Sequence, residues 1–395
     1  MLTIEQRHII KATVPLLEAG GEALITYFYK ILLADHPEVR PLFNQAHQAN
    51  GAQPRALANG VLMYARNIDR LENLGPLAGQ IVNKHVALQI LPEHYPIVGG
   101  SLLQAMGEVL GPEIATDEVI AAWAAAYQQL ADILIGAERG MYDTIAAAPG
   151  GWRGSRAFTV VDKRAESSEI TSFYLRPVDG QPVIAHQAGQ YIGLRMNVTG
   201  QEIRRNYSLS APSSGTGYRI SVKREPDGVA SNFLHDQVGI GSVLELFPPS
   251  GQFTLIDGQK PLVLISGGVG ITPMITIAQA ALEAENRQVV FIHYARNTRV
   301  QGFQTVLDGW EAQYPQFSVY VIHSEESDDT TTPAVAIGFP SVEHLKDWLP
   351  TGRDVEAYFV GPKPFMAFIK RALEEIGVPE SQSHYEFFGP AEALV

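Results

Sequence analysis

The hydrophobic period of this chain changes once, between residues 146 and 156, and that change limits the folds open to it. Before it, apolar residues recur at helical spacing. Leu24, Phe28, Ile31 and Leu32 form one face, and Leu57, Val61, Leu62 and Ala65 form a second. Ile81, His85 and Leu88 form a third, and Trp123, Tyr127, Leu130 and Leu134 form a long last one. Pro37, Pro41, Gly51, Pro76, Pro92 and Gly111 punctuate these faces. Such spacing buries one stripe of a helix and cannot line one face of a strand. Residues 1–146 are therefore expected to form an all-α domain. Pro149, Gly150 and Gly151 mark a turn-prone linker at 147–154.

Short strand-like runs follow at Ala157–Asp162, Ile170–Pro177, Tyr191–Met196, Arg205–Ser210, Tyr218–Lys223 and Val243–Phe247. Turn residues separate them, which predicts an antiparallel β-barrel over 155–257. From residue 258 to 395 apolar strands alternate with helical stretches, the pattern of an α/β domain. The longest uncharged stretch, Pro261–Leu282, is long enough to cross a membrane. Ser266, Gly267, Gly268, Gly270, Thr272 and Pro273 sit at its centre, so a buried strand, a glycine turn and a helix explain it better.

The 395 residues include no cysteine, which excludes disulfides, thiolate-bound iron, iron–sulfur clusters and haem attached through Cys-x-x-Cys-His. Iron, if used, must rest on His, Tyr, Met or carboxylate. The net charge of −13 is shared, −6 on residues 1–150 and −7 on the rest, with no basic tract. Nucleic acid is not an expected partner. The first ten residues lack a signal-peptide layout, so a cytoplasmic location is expected.

Ile265–Met274 follows an apolar strand and opens a helix, with glycines that let backbone N–H groups approach a phosphate. A glycine-rich turn with no ligand fits those residues too. Arg205 and Tyr207 share one face of a strand, where one can pair a diphosphate and the other stack on a flat ring. The order Gly189-Gln190-Tyr191, Arg205-x-Tyr207-Ser208, Val222-Lys223-Arg224, Gly228-x-x-Ser231-Asn232, Gly267–Pro273, Gly361-Pro362 resembles the ferredoxin–NADP reductase superfamily across 154–395. The resemblance implies FAD held by Tyr191, Arg205, Tyr207, Ser208, Lys223, Gly228 and Ser231. It implies a nicotinamide dinucleotide held by Gly268, Val269, Gly270, Ile271, Thr272 and Pro273. Glu386, Phe387, Phe388, Gly389 and Pro390 would border the flavin. Val360 stands where relatives often carry Cys, which puts the hydride geometry in question.

His85 points to an apolar helical face, a place where a histidine is more often a packed residue than a ligand. Phe43 follows a short break after a helix, Tyr29 lies beside an apolar stripe, and Gln53 begins a later helix. Glu138 extends the Leu130–Leu134 row, where a carboxylate needs a partner or must turn to the solvated edge. The order Phe28-Tyr29, Phe43-Asn44, Asn50-Gly51-x-Gln53, Lys84-His85, Leu91-Pro92-Glu93-x-Tyr95 and Trp123 resembles the globin half of the bacterial and fungal flavohemoglobins. That family joins a globin to the reductase just described. The departure at Pro54 is tolerable in a first helical turn.

The resemblance implies a haem b whose iron is bound by His85, with Phe43 against the ring and Tyr95 and Glu138 behind the imidazole. Lys84 would reach a haem propionate or the reductase. Tyr29 and Gln53 would donate hydrogen bonds to the oxygen ligand. The implied activity is oxidation of NO to nitrate by O2, with electrons from NADH or NADPH through FAD. A haem-based oxygen or redox sensor and a plain NAD(P)H diaphorase are the alternatives. Arg296 and Arg299 follow a strand and could either meet the 2′-phosphate of NADPH or be surface charges. A monomer without an obligate protein partner is expected, and a lipid or azole in the haem pocket is left open.

Overall fold

In a computed structural model, which describes residues 2–44, 48, 51–284, 287–325, 336–389 and 394, the helical period of the first part resolves into packed helices. They are α1 (Ile4–Ala12), α2 (Val14–Asp35), α3 (Ala52–Arg66), α4 (Gly75–Leu88), α5 (His94–Leu110) and α6 (Asp117–Ala147). Local chemistry sets their starts. Thr3 and Gln6 form a reciprocal capping box on α1, and Thr116 caps α6 ahead of Asp117 and Glu118. Pro54 is buried in the first turn of α3, where a missing N–H costs nothing. The core joins Leu24, Ile25, Phe28 and Leu32 of α2 to Tyr64 of α3, Leu102 and Met106 of α5, and Trp123 and Ala126 of α6.

Helix α4 stops sharply one turn after His85. Gln89 adopts a left-handed conformation, φ 57°, and Ile90 N–H donates back to the His85 carbonyl at 2.9 Å. The Gln89 side chain returns to the Val86 carbonyl at 2.9 Å. These bonds fix the end of the helix that carries the candidate ligand.

The second part begins with β1 (Arg156–Ala165), β2 (Ile170–Pro177), β3 (Tyr191–Val198), β4 (Gln201–Ser208), β5 (Tyr218–Lys223), α7 (Val229–Gln237) and β6 (Val243–Leu246). The strand order is β4-β3-β6-β1-β2-β5. Leu209, just past β4, bridges antiparallel to Ile220 of β5, so the sheet curls into a barrel. Strand β4 starts at Gln201, earlier than the sequence pattern suggests. Thr199 and Gly200 both take positive φ, 51° and 85°, which gives a tight two-residue hairpin from β3 and lets pairing begin at once. Trp152, before β1, packs on Phe158 and Tyr218, with the Arg156 guanidinium over its ring.

The third part is a parallel sheet in the order β10-β9-β8-β7-β11-β12. Its elements are β7 (Leu262–Gly267), α8 (Ile271–Ala284), β8 (Val289–Ala295), α9 (Gln304–Gln313), β9 (Phe317–His323) and β10 (Ala336–Ile337). After these come α10 (Val342–Trp348), β11 (Glu356–Val360), α11 (Lys363–Glu375) and β12 (Ser383–Tyr385). The membrane-length stretch 261–282 is thus a strand, a glycine turn and a buried helix. Strand order reverses between β7 and β11, the point where open α/β sheets leave a crevice for ligands. Both flanking turns are rich in glycine: Gly267–Gly270 after β7, and Gly361 after β11.

By contacts, the chain divides into two compact units. One is Met1–Ala148 with Thr199–Arg205 and Phe388–Glu392; the other is Pro149–Val198, Asn206–Phe387 and Ala393–Val395.

Candidate functional site

The helical unit gathers two polar groups inside apolar surroundings. The first is built on Glu138. Its carboxylate is only 2% exposed, which would be costly without partners. One oxygen, Oε1, accepts from His85 Nδ1 at 2.7 Å and from the Tyr95 hydroxyl at 2.6 Å. The Tyr95 hydroxyl oxygen also lies 3.2 Å from His85 Nδ1. Glu138 therefore faces inward from α6, not toward the solvated edge. Burial, and then the neighbouring carboxylate, push the Tyr95 phenol far above its ordinary pKa, so it stays a donor.

A carboxylate on Nδ1 fixes the imidazole tautomer. The proton sits on Nδ1, and the lone pair of Nε2 points away, available to a metal. Among the described residues, no group of three or more His, Asp and Glu side chains could hold a metal ion. A lone imidazole suits a metal that brings its other ligands with it, as a haem does. The donor set here fits that group.

Two residues brace this arrangement that the sequence reading took only as apolar or ignored. Tyr127 donates from its hydroxyl to the Tyr95 carbonyl at 2.7 Å, and its ring lies where a Cβ on Gly99 would sit, 2.4 Å away. Tyr142 donates to the Ile90 carbonyl at 2.8 Å, just past the end of α4. Within the same unit, Arg204 Nη1 donates to the Leu88 carbonyl at 2.6 Å. Arg204 thus supplies a cation to the carbonyl end of α4. Lys84 Nζ donates to the Gly389 carbonyl at 2.6 Å, in that unit as well.

The second polar group is built on Tyr29, which is 6% exposed on α2. Its hydroxyl is hydrogen-bonded to the side chains of Gln53 and Gln48, and Gln48 Nε2 donates to Gln53 Oε1 at 2.9 Å. Phe43 stands edge-on to the Tyr29 ring, with centroids 5.5 Å apart. Burial pushes the Tyr29 phenol well above its ordinary pKa despite those bonds. Gln48 was missed in the sequence because a glutamine between helices looks like any loop residue. Tyr29, Phe43 and Gln53 come together as the sequence suggested.

In the barrel, Tyr191 is buried and its backbone pairs with Ser250 in both directions at 2.9 Å. Gly251, at φ 118°, is required beside it, since a Cβ there would lie 2.8 Å from the Tyr191 ring. Ser208 is buried, and Tyr207 is partly exposed next to it. Arg205 Nη1 donates to the Arg204 carbonyl at 2.7 Å. Lys223 pairs with Glu225 at 2.9 Å. Gly228 precedes the first turn of α7, and Ser231 Oγ is used inside that turn, donating to the Gly228 carbonyl and accepting from Glu225 N–H, both at 3.1 Å. What this turn can offer a phosphate is backbone N–H at a helix start.

In the α/β part, Gly268 is exposed at φ 55°, and Val269 is partly exposed beside it. Gly270 packs so closely on the end of β11 that a Cβ would lie 2.2 Å from the Val360 carbonyl. Ile271 and Thr272 are buried, with Thr272 Oγ1 donating to the Val269 carbonyl at 3.0 Å, and Pro273 follows them in α8. These three anchor the helix start, while the turn itself is open. Glu386 is partly buried, Phe387 packs edge-on to Tyr385 at 5.8 Å, and Phe388 is exposed. Pro390 lies outside the described residues. Arg296 is ion-paired with Glu169.

Comparison with known proteins matches each of these parts to a family. The Globin family matches residues 26–134, the Oxidoreductase FAD-binding domain residues 157–255, and the Oxidoreductase NAD-binding domain residues 264–371. The chain is 62% identical to a flavohemoprotein of Pseudomonas putida, covering all of both chains. It is 46% identical to one of Deinococcus radiodurans, over 100% of this chain and 98% of that one. A crystal structure of flavohemoglobin from Malassezia yamatoensis with bound FAD and heme superposes with a TM-score of 0.86 at 26% identity, covering 98% of this chain and 100% of that one. The FAD/NAD-binding domain of a nitric oxide dioxygenase from Vibrio cholerae superposes with a TM-score of 0.56 at 35% identity, over 60% of this chain and 100% of that one.

Proposed function

We propose, starting from the fact that this chain belongs to the flavohemoprotein family, that it oxidises nitric oxide to nitrate with O2. More coarsely, it is an NAD(P)H-dependent haem oxidoreductase with FAD as its second cofactor. When bound, haem supplies an O2-binding redox metal, and FAD links a two-electron hydride donor to single-electron transfer.

The observation that carries the reading is the single Glu138 oxygen shared by His85 and Tyr95. Glu138 holds the Nδ1 proton of His85 in a strong, charge-assisted bond, which raises the basicity of Nε2. An electron-rich imidazole favours activation of a diatomic ligand over mere storage. Tyr95 keeps Glu138 from turning away, and Tyr127 keeps Tyr95 in place. Within the same helical unit, Tyr29 keeps its proton at any physiological pH, so it can donate to negative charge that develops on an oxygen ligand. Gln53 and Gln48 orient that hydroxyl. The turn at Gly268–Gly270 presents backbone N–H groups to a dinucleotide phosphate at the switch point of the sheet. The Vibrio cholerae relative, a nitric oxide dioxygenase by name, supports the choice of substrate.

The test is anaerobic-to-aerobic stopped flow with NO and NADH or NADPH, with nitrate assayed as product. The wild-type protein should consume NO catalytically, and His85→Ala should lose that turnover while retaining reduction of ferricyanide. Equal NO consumption by the wild type and His85→Ala would overturn the reading. Reduction of ferricyanide without NO turnover would leave a diaphorase.

A further inference from the structure

We propose that Glu169 makes this enzyme selective for NADH over NADPH, by engaging Arg296 at the point where the adenosine ribose is read. Arg296 is the first residue after β8, the strand that follows the glycine turn and α8. In dinucleotide folds the end of this second strand meets the ribose. A carboxylate there accepts from a 2′-hydroxyl, whereas an arginine accommodates a 2′-phosphate. This chain places both at one spot. Arg296 Nη2 donates to Glu169 Oε1, although the two lie 127 residues apart in sequence.

Glu169 is held there by its own turn. The turn between β1 and β2 closes through Ser167 Oγ, which accepts from the N–H groups of Glu169 at 3.3 Å and Ile170 at 3.1 Å. It is tied to the loop after β8 by Ser168 N–H, which donates to the Arg299 carbonyl at 2.9 Å. Gly302 lets the loop lie close: a Cβ there would sit 3.2 Å from Ile170 Cδ1. A second carboxylate, that of Glu325, also borders the loop. Glu325 N–H donates to the Arg296 carbonyl at 2.8 Å, and Glu325 Oε2 accepts from Asn297 Nδ2 at 2.8 Å.

Glu169 therefore already occupies the cation nearest the end of β8. A 2′-phosphate dianion has to displace Glu169 from Arg296 and then remain near two carboxylates. A 2′-hydroxyl meets no such barrier and can donate to either one. The exposed pair adds little to stability, so its loss should not unfold the protein.

The proposal rests only on nicotinamide oxidation, and its assay uses ferricyanide, which bypasses His85; failure of the nitric oxide reading would leave it intact. The flavin- and haem-loaded full chain is compared with Glu169→Gln, Arg296→Gln and the double variant. Two quantities are read: the ratio of kcat/KM for NADPH to that for NADH, and calorimetric binding of adenosine 2′,5′-bisphosphate against ADP. FAD content and melting temperature serve as controls for the fold. The wild type should favour NADH. Glu169→Gln should raise the NADPH:NADH ratio about tenfold, roughly the worth of one charge-assisted hydrogen bond to phosphate. It should tighten the bisphosphate by a similar factor, and the double variant should lose both gains. A wild type that favours NADPH, an unchanged ratio in Glu169→Gln, or a gain that survives in the double variant would each overturn the proposal. The last outcome would pass the role to Arg299.

Discussion

Glu138→Gln isolates the electronic role of the shared carboxylate oxygen. The substitution keeps the size of the side chain and leaves one oxygen to accept from both His85 and Tyr95. What it removes is the charge. Each bond should fall from about 2 to about 1 kcal/mol, since a charge-assisted hydrogen bond is roughly twice as strong as a neutral one. For bonds of 2.7 and 2.6 Å, the loss is about 2 kcal/mol, partly offset because a charge at 2% exposure no longer needs desolvation. The protein should therefore fold. The iron–imidazole bond should weaken, and metal affinity should fall by about tenfold to a hundredfold, the usual effect of losing an outer hydrogen-bond partner. Resonance Raman of the ferrous, ligand-free holoprotein reads the bond directly: the iron–histidine stretching frequency should move down. Tyr95→Phe, which removes one bond and leaves the charge, should produce a smaller change. An unshifted frequency in Glu138→Gln with a full complement of haem would refute the reasoning, because the carboxylate would then not polarise His85.

Three further outcomes are expected. Tyr29→Phe should raise the O2 dissociation rate about tenfold, the worth of one hydrogen bond to a partly charged ligand, with haem content unchanged; flash photolysis or stopped flow checks it. Gly270→Ala drives a methyl into the Val360 carbonyl, so it should destabilise the α/β part and weaken nicotinamide binding, read by thermal melting and by the KM for NADH. His293 is buried between Ser266, on its Nδ1 at 2.8 Å, and His323, and desolvation pushes its pKa down to about 4. Its unfolded form takes up a proton near pH 6.5 and its folded form does not, so stability is intact above 6.5 and falls by up to about 3 kcal/mol as the pH drops toward 4. Denaturant curves across that window should lose this acid slope in His293→Asn.

The fold was legible wherever a period ran long enough to register. Strands Ile170–Pro177 and Tyr218–Lys223 fall where alternation and turn residues place them. Strand β4 begins earlier than its pattern suggests because a hairpin turn, not side-chain alternation, sets where pairing starts. The edge strands Ala336–Ile337 and Ser383–Tyr385 contain two and three residues, too few to carry a period at all. They exist because β9 and β11 leave open edges, a fact of topology that no local window contains.

The site divides along a different line. Glu138 could be found because a carboxylate in an apolar row contradicts its surroundings, and such a contradiction needs a partner. Tyr127 contradicted nothing: its ring belongs to an apolar face, and its hydroxyl finds a backbone carbonyl only after α5 and α6 pack across Gly99. Tyr142 and Arg204 are hidden for the same reason, since their acceptors are the carbonyls of Ile90 and Leu88. Backbone acceptors occur at every residue, so sequence cannot say which one a side chain will choose. The same holds for the partner of Arg296, since Glu169 lies 127 residues away in sequence. Glu138 announces itself by misplaced polarity. Residues that aim it are ordinary in composition, and only the packed structure reveals them.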